Sequence, residues 1–242
     1  MPEILRPDWR APPNVRAAIT TRRGGVSQGP HASLNLGSHV DDDPDAVRHN
    51  RALLRTHLAL PAEPCWLNQT HGTDLVEATR AHQPPSADAA FSRTAGEICA
   101  ILTADCLPIL LCNRSGATVL AIHAGWRGLL DGIISRCVET LAEDPADWMA
   151  WIGPGISGAA YEVGSELVAL FTAREPRWSR YFTPMQDKMR ADLPALAEDQ
   201  LAMAGIADIT RYAGCTAGEP ERFFSYRRDG LTGRFASLIW LT

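Results

Sequence analysis

The stretch AILTADCLPILLCN, residues 100–113, constrains this chain more than any other. It is an apolar run of the kind that becomes a buried strand, yet Asp105 and Cys106 stand in its middle and Pro108 follows two residues on. An unpaired carboxylate is costly to bury, and proline removes a donor from a sheet ladder. The run therefore predicts a core strand broken by a loop or bulge that carries a site. The other members of that site must come from elsewhere in the chain.

The 242 residues suffice for a sizeable core, with 45% hydrophobic and 21% charged residues, as in ordinary soluble globular proteins. Length alone allows one large domain or two small ones. A net charge of −5 gives no general attraction to nucleic acid or anionic membranes, so neither is expected as a partner. Local basic clusters can still hold small anions. Arg6, Asp8, Arg10 and Arg16 break up the N-terminus before any signal core could form. No apolar run approaches the roughly 20 residues of a spanning helix. A cytoplasmic protein with reduced thiols is expected. Its six cysteines are scattered without a Cys-x-x-Cys pair, which excludes zinc-ribbon and thioredoxin-like frameworks.

Strands are predicted at 15–21, 98–104, 118–124 and 235–241, and 150–156 reads as a strand running into a Gly-Pro-Gly turn. A helix over 43–60 has Asp43 as its cap and Pro44 in its first turn. The clearest helix reads over 128–144, with Leu130, Ile133, Ile134, Cys137, Val138 and Leu141 at spacings of three and four. Further helices are predicted at 164–174 and at 192–206, the latter with an Asp192 cap and a Gly205 stop. Strands and helices mix without strict alternation, which favours an α+β layered sandwich over a doubly wound sheet.

Three residues share strand-end or glycine-turn positions: His71 in NQTHG, Cys106, and His123 in AIHAGWRG. Two neutral imidazoles and one thiolate make a zinc set with a fourth position left open. The three lie 35 and 17 residues apart, far from any zinc-finger spacing, so a buried thiol with two backbone-satisfied histidines stays equally open. His31, His39, His49, His57 and His82 sit among polar residues and read as solvated or capping groups. Cys65, Cys99, Cys112, Cys137 and Cys215 read as packing. The glycine turn at 125–128 opens a helix beside Arg127, an arrangement that attracts phosphate. The arginine-bearing loops TTRRGG (20–25) and FFSYRRDG (223–230) read as solvated surface, and REPRWSRYF (174–182) as a docking loop without an evident partner.

NQTHG, TADCLPILL, AIHAGWRG, GPGISGAAYEVG and FFSYRRDGLTGR follow one another in an order that resembles the YfiH family, long labelled laccase-domain or polyphenol oxidoreductases. GGVSQGPHASLNLG near the N-terminus fits as well, so the resemblance runs nearly end to end. It implies an α+β fold, a four-layer α/β/β/α sandwich with mixed sheets, shared with the cytotoxic necrotizing factor toxins. It implies a single domain over 1–242 and places zinc on His71, Cys106 and His123, with copper a weaker choice, making these three residues catalytic; Asp105 joins them as the acid nearest Cys106. Asp105 then serves either as a proton carrier or as a residue orienting His71 or His123.

The implied activity is phosphorolysis of adenosine, inosine, guanosine and methylthioadenosine, with adenosine deamination. A purine nucleoside and phosphate are thus the expected small-molecule partners of a monomer. Arg22, Asn35, Gln69 and Arg127 are the expected substrate contacts, the two arginines being chosen for phosphate on electrostatics alone. The alternative for some members is a peptidoglycan-editing amidase that removes L-Ser from a UDP-muramyl precursor; a structural zinc module ranks below both. A laccase mechanism is disfavoured, because multicopper sites need many histidines, typically in His-x-His pairs, and this chain has seven histidines and no such pair.

Overall fold

The computed structural model describes residues 1–79 and 83–242; His82 lies outside them. Its strands are β1 (Ile4–Leu5), β2 (Val15–Thr20), β3 (Leu75–Glu77), β4 (Ala89–Ser92), β5 (Ile98–Thr103), β6 (Leu107–Asn113), β7 (Val119–Ala124), β8 (Trp148–Ile152), β9 (Glu162–Val163), β10 (Phe182–Met185), β11 (Lys188–Ala191), β12 (Asp208–Arg211) and β13 (Phe235–Leu241). The helices are α1 (Pro44–His57), α2 (Trp126–Asp131), α3 (Ile133–Leu141), α4 (Ser165–Arg174), α5 (Leu193–Met203) and the single turn α6 (Tyr226–Asp229).

A four-stranded antiparallel sheet runs β1-β2-β13-β5, and a six-stranded mixed sheet runs β12-β8-β6-β7-β4-β3. The period-two alternation of side chains sorts each strand between two cores. In β6, Leu107, Ile109 and Leu111 face α2, α3, α4 and α5, while Leu110 and Cys112 face the other sheet. In β5, Cys99 and Ile101 face that same inter-sheet core, while Ile98, Ala100 and Leu102 pack with Leu54 of α1 and with Leu34, Leu36 and Trp66. Both faces of both sheets are covered. That is why these strands read as continuous apolar runs rather than alternating ones. The result is the expected four-layer α/β/β/α sandwich.

The run at 100–113 is therefore two strands, not one. β5 belongs to the smaller sheet and β6 to the larger, and residues 104–106 carry the chain between them. Asp105 makes the turn at φ +90°. Pro108 sits near the start of β6, one residue ahead of the first β6–β8 pair, where a missing N–H is tolerated, and its carbonyl accepts from the Gly153 N–H at 2.8 Å.

The predicted strands, the 43–60 helix and the Asp43 and Asp192 caps are present, the caps accepting from Asp45 N and Ala195 N. The helix read over 128–144 is instead α2 and α3, divided at Gly132, whose φ of +84° ends one helix before the next begins. The basic stretch 174–182 is also not a docking loop. Trp178 is buried, and Arg177 and Arg180 pair with Asp199 at 3.2 and 2.8 Å. It leads into a small third sheet, β10-β11-β9, that the sequence did not announce.

Phe223 and Phe224, from a segment read as solvated surface, are fully buried in the inter-sheet core. Phe223 packs against Phe235 and Tyr212 with ring centroids 5.1 and 5.9 Å apart. Replacing it with alanine should lower unfolding free energy by about 3–5 kcal/mol, the usual cost of emptying such a site, read from urea melts. A loss under about 1 kcal/mol would show that the sheets do not close on this ring.

Candidate active site

Three elements bring the site together. The 104–106 crossing presents the half-buried Cys106. His123, only 3% exposed, is the penultimate residue of β7 and stands in register with Pro108 of β6. His71 is exposed on the loop before β3 and holds a left-handed backbone at φ +61°. The three donor atoms lie within 4.8 Å of one another; Cys106 Sγ is 4.0 Å from His71 Nε2, and the imidazole centroids are 4.8 Å apart. Among the described residues this is the one group of three or more metal-capable side chains. Gly125, just after β7, has no room for a side chain: a Cβ there would lie 3.0 Å from Cys106 Sγ and 3.2 Å from His71 Cδ2.

A residue absent from the sequence reading organises this set. Asp88 is fully buried and accepts five hydrogen bonds. Its Oδ1 accepts from His123 Nδ1 at 2.7 Å and from His71 N at 2.9 Å. Its Oδ2 accepts from Gly72 N at 2.7 Å, Thr70 N at 3.0 Å and Thr70 Oγ1 at 3.1 Å. With Nδ1 donating to Asp88, His123 turns Nε2 toward the cluster. The same carboxylate thus orients one imidazole and ties down the loop that carries the other. Nothing in SADAAF signals this, since the partners arrive from residues 70–72 and 123.

The electrostatics single out Cys106. Burial pushes the thiols of Cys65 and Cys99 up, and those of Cys112 and Cys137 up to about 12, as expected of packing residues. Burial also raises Cys106, but the His123 and His71 imidazoles overcome it and bring it down to about 6. Burial likewise lowers His123, and the charges of Cys106 and Asp88 reverse this, raising it to about 9. Asp88, despite burial, is held down to about 2 by His123 and its backbone donors. Near neutral pH the pair is a thiolate beside an imidazolium, the form that a nucleophile or a metal ligand requires.

The remaining expected site residues have other employment. Asp105 reaches neither histidine; its carboxylate accepts from Thr216 Oγ1 and from Arg227 N, both at 2.6 Å, so it fixes the 216 and 226–229 turns beside the site. Asn35 is fully buried and saturated: Nδ2 donates to Gly37 O and Asp42 Oδ2, and Oδ1 accepts from Gly37 N and Arg234 N. The Gln69 amide pairs with both N–H and C=O of Leu102 at 2.8 Å, acting as a one-residue strand on the free edge of β5. Arg22 donates to Ala32 O and Pro220 O and lies 4.7 Å from the Phe224 ring centroid. Arg127 is exposed and stacks on Trp126 at 4.2 Å. His31 is buried on Val40 O at 2.7 Å, a structural role. Cys215 is not pure packing: it is half-exposed and accepts from Ser157 N.

A family model described as multi-copper polyphenol oxidoreductase laccase matches residues 16–242, and the chain belongs to that family. It is 46% identical over 242 residues, the whole of both chains, to the Escherichia coli (strain K12) protein called purine nucleoside phosphorylase YfiH. The crystal structure of a Neisseria meningitidis protein superposes with a TM-score of 0.94 at 46% identity, covering 98% of each chain. That of the Bacillus licheniformis hypothetical protein YfiH gives 0.89 at 29% identity, covering 94% of this chain and 93% of that one.

Between pH 6 and 9 the pair carries one proton, on His123, so uptake of a divalent metal should expel one proton from it. Below about 6 the thiol also holds a proton, a second must leave, and metal affinity should fall as pH drops. Calorimetry in buffers of differing ionisation enthalpy counts these protons; two released at pH 7.5 would deny the ion pair. Asp88→Asn removes the negative charge and replaces one of the two acceptor oxygens with a donor, so the five donors can no longer all be met and the His123 tautomer is no longer fixed. It should weaken metal binding by roughly 10–100-fold in competition with a chelator.

Proposed function

We propose, from membership of this family and from the site's geometry, that this chain is a zinc-dependent purine nucleoside phosphorylase of the cytoplasm, acting as a monomer on adenosine, inosine, guanosine and methylthioadenosine, and that it also deaminates adenosine. The observation that carries the reading is the His71, Cys106 and His123 cluster, in a chain that matches the Escherichia coli phosphorylase from end to end. Six free cysteines fit a reducing compartment.

The donor set suits zinc. A borderline-soft ion takes thiolate and imidazole together, and bonds of about 2.0–2.3 Å require only a modest contraction of the present separations. When bound through His71, Cys106 and His123, zinc would supply Lewis acidity at a remaining open position. The chain's own contributions are distinct. Asp88 keeps Nε2 of His123 aimed at the cluster. Gly125 leaves the space above the sulfur free of any side chain. Asp105, with both oxygens engaged, is a positioning residue for the 226–229 turn and not a proton carrier. Phosphorolysis also asks for an anion site on one side of the ribose and a hydrogen-bond donor for the departing base.

The multicopper chemistry in the family's description finds little support in this chain. A type 1 copper with a trinuclear cluster draws on many histidines, whereas the described residues offer one three-donor group. A second reading has an observation in its favour. A Cys106 thiolate beside a protonated His123 is also the pair that an amidase would use to attack an amide and protonate its leaving amine, as removal of L-Ser from a UDP-muramyl precursor requires.

Zinc-loaded protein should release adenine from adenosine only when phosphate is present, and should form inosine, without free hypoxanthine, in its absence. Cys106→Ala and His71→Ala should each abolish both. Serine release from UDP-muramyl-L-Ser, with no turnover of adenosine, would select the amidase instead. Full turnover in both variants would remove this site from the reaction.

A further inference from the structure

Beside the crossing stand two half-buried arginines, Arg234 and Arg51; the charges of Cys106 and Asp105 act on the first and that of Glu63 on the second, but neither makes an ion pair among the described residues. The register of β13 on β5 pairs Phe235 with Thr103, so Arg234 stands next to Ala104, at the mouth of the turn that bears Cys106. Its N–H donates to Asn35 Oδ1 at 2.8 Å, and Nη1 donates to the carbonyls of Thr232 and Gly233 at 2.9 Å. Its stem lies across Gly37, where a Cβ would come within 2.8 Å of Arg234 Cγ. The guanidinium is thus held in place while Nε and Nη2 keep no acceptor among the described residues.

Arg51 approaches the same loop from α1. Its Nε and Nη2 donate to Leu36 O at 3.0 and 2.8 Å, and its face lies 4.2 Å from the Trp66 ring centroid. Neither arginine has a carboxylate within ion-pair distance among the described residues. Elsewhere the fold pairs such groups freely, as with Arg93 and Glu143 or Arg114 and Asp208. His39, exposed on the 35–39 loop, completes the set; the charges of Arg234, Arg51, His123 and His71 all act on it. Cys106 and Arg234 likewise feel each other. For both guanidiniums burial outweighs the charges of Cys106, Asp105 and Glu63, a desolvation cost that an anionic ligand in direct contact would offset.

We infer that Arg234, with Arg51 and His39, forms a subsite for a tetrahedral oxyanion next to the three-donor cluster. Its occupant in the proposed reaction, on which this identification rests, is inorganic phosphate. Nε–H and one Nη2–H of Arg234 match a phosphate edge, and the fixed fork makes the contact directional. This assigns the anion to Arg234, Arg51 and His39 rather than to Arg22, which donates to the carbonyls of Ala32 and Pro220, or to the exposed Arg127.

Inorganic phosphate alone, titrated by calorimetry into the zinc-loaded full chain, should bind in wild type and weaken tenfold or more in Arg234→Gln, about the value of a charged hydrogen bond. In phosphorolysis the same variant should raise KM for phosphate by a similar factor while KM for the nucleoside moves less than about threefold. Arg234→Lys should recover part of the loss. His39→Gln, at an exposed position that cannot unseat the fold, should raise the phosphate KM a fewfold and serves if Arg234→Gln does not fold. Phosphate binding without phosphorolysis would overturn the proposed function and keep this subsite. Phosphorolysis with an unchanged phosphate KM in Arg234→Gln and His39→Gln would overturn the subsite and keep the function. Wild type that binds no phosphate, or a larger effect from Arg22→Gln or Arg127→Gln, would overturn the subsite as well.

Discussion

A carboxylate survives burial only when donors surround it, and Asp88 has five. Each of those donors belongs to the site. Three come from the 70–72 backbone, one from the Thr70 hydroxyl and one from the His123 ring. Without the carboxylate, the left-handed His71 loop would lose its anchor and the His123 imidazole would be free to choose the wrong tautomer. The negative charge of Asp88 also keeps His123 protonated until a metal or a substrate takes the proton's place, and a protonated His123 is what keeps the Cys106 sulfur anionic. One interaction therefore sets the position of two ligands and the ionisation of the third.

The sandwich supplies what Asp88 cannot, namely Cys106. Two sheets share a core, and a chain passing from one to the other must leave both ladders for a few residues. At 104–106 it does so between the end of β5 and the start of β6. The backbone freed there points side chains outward on both sides: Cys106 toward the imidazoles, Asp105 toward Thr216 and Arg227. The Gln69 amide closes the free edge of β5 beside it, and β13 closes the other side and delivers Arg234. Cys106 and Arg234 come near each other because they flank paired ends of neighbouring strands, β5 and β13.

The sequence made much of this legible, and the limits have physical causes. Local signals sufficed for the strands, for the caps at Asp43 and Asp192, and for the interruption at Asp105-Cys106, because each depends on neighbours along the chain. The break at Gly132 was hidden, since the apolar spacing of α2 and α3 stays in phase across it. Asn35, Gln69 and Asp105 stand in motifs that the family resemblance brought to notice, yet their polar atoms meet backbone and side chains from 33 to 199 residues away. Asp88, Arg234 and His39 failed to show for the same reason: a polar residue declares its role only once its partners are known.

The proposed function requires one metal ion taken by two imidazoles and one thiolate. X-ray absorption at the edge of the metal in purified protein reads that shell directly. It should show a single sulfur near 2.3 Å with two imidazole nitrogens near 2.0 Å, the distances that zinc keeps with these donors, and the sulfur should vanish in Cys106→Ala. A shell without sulfur, or a protein that emerges from a zinc-containing solution with no bound metal, would contradict it.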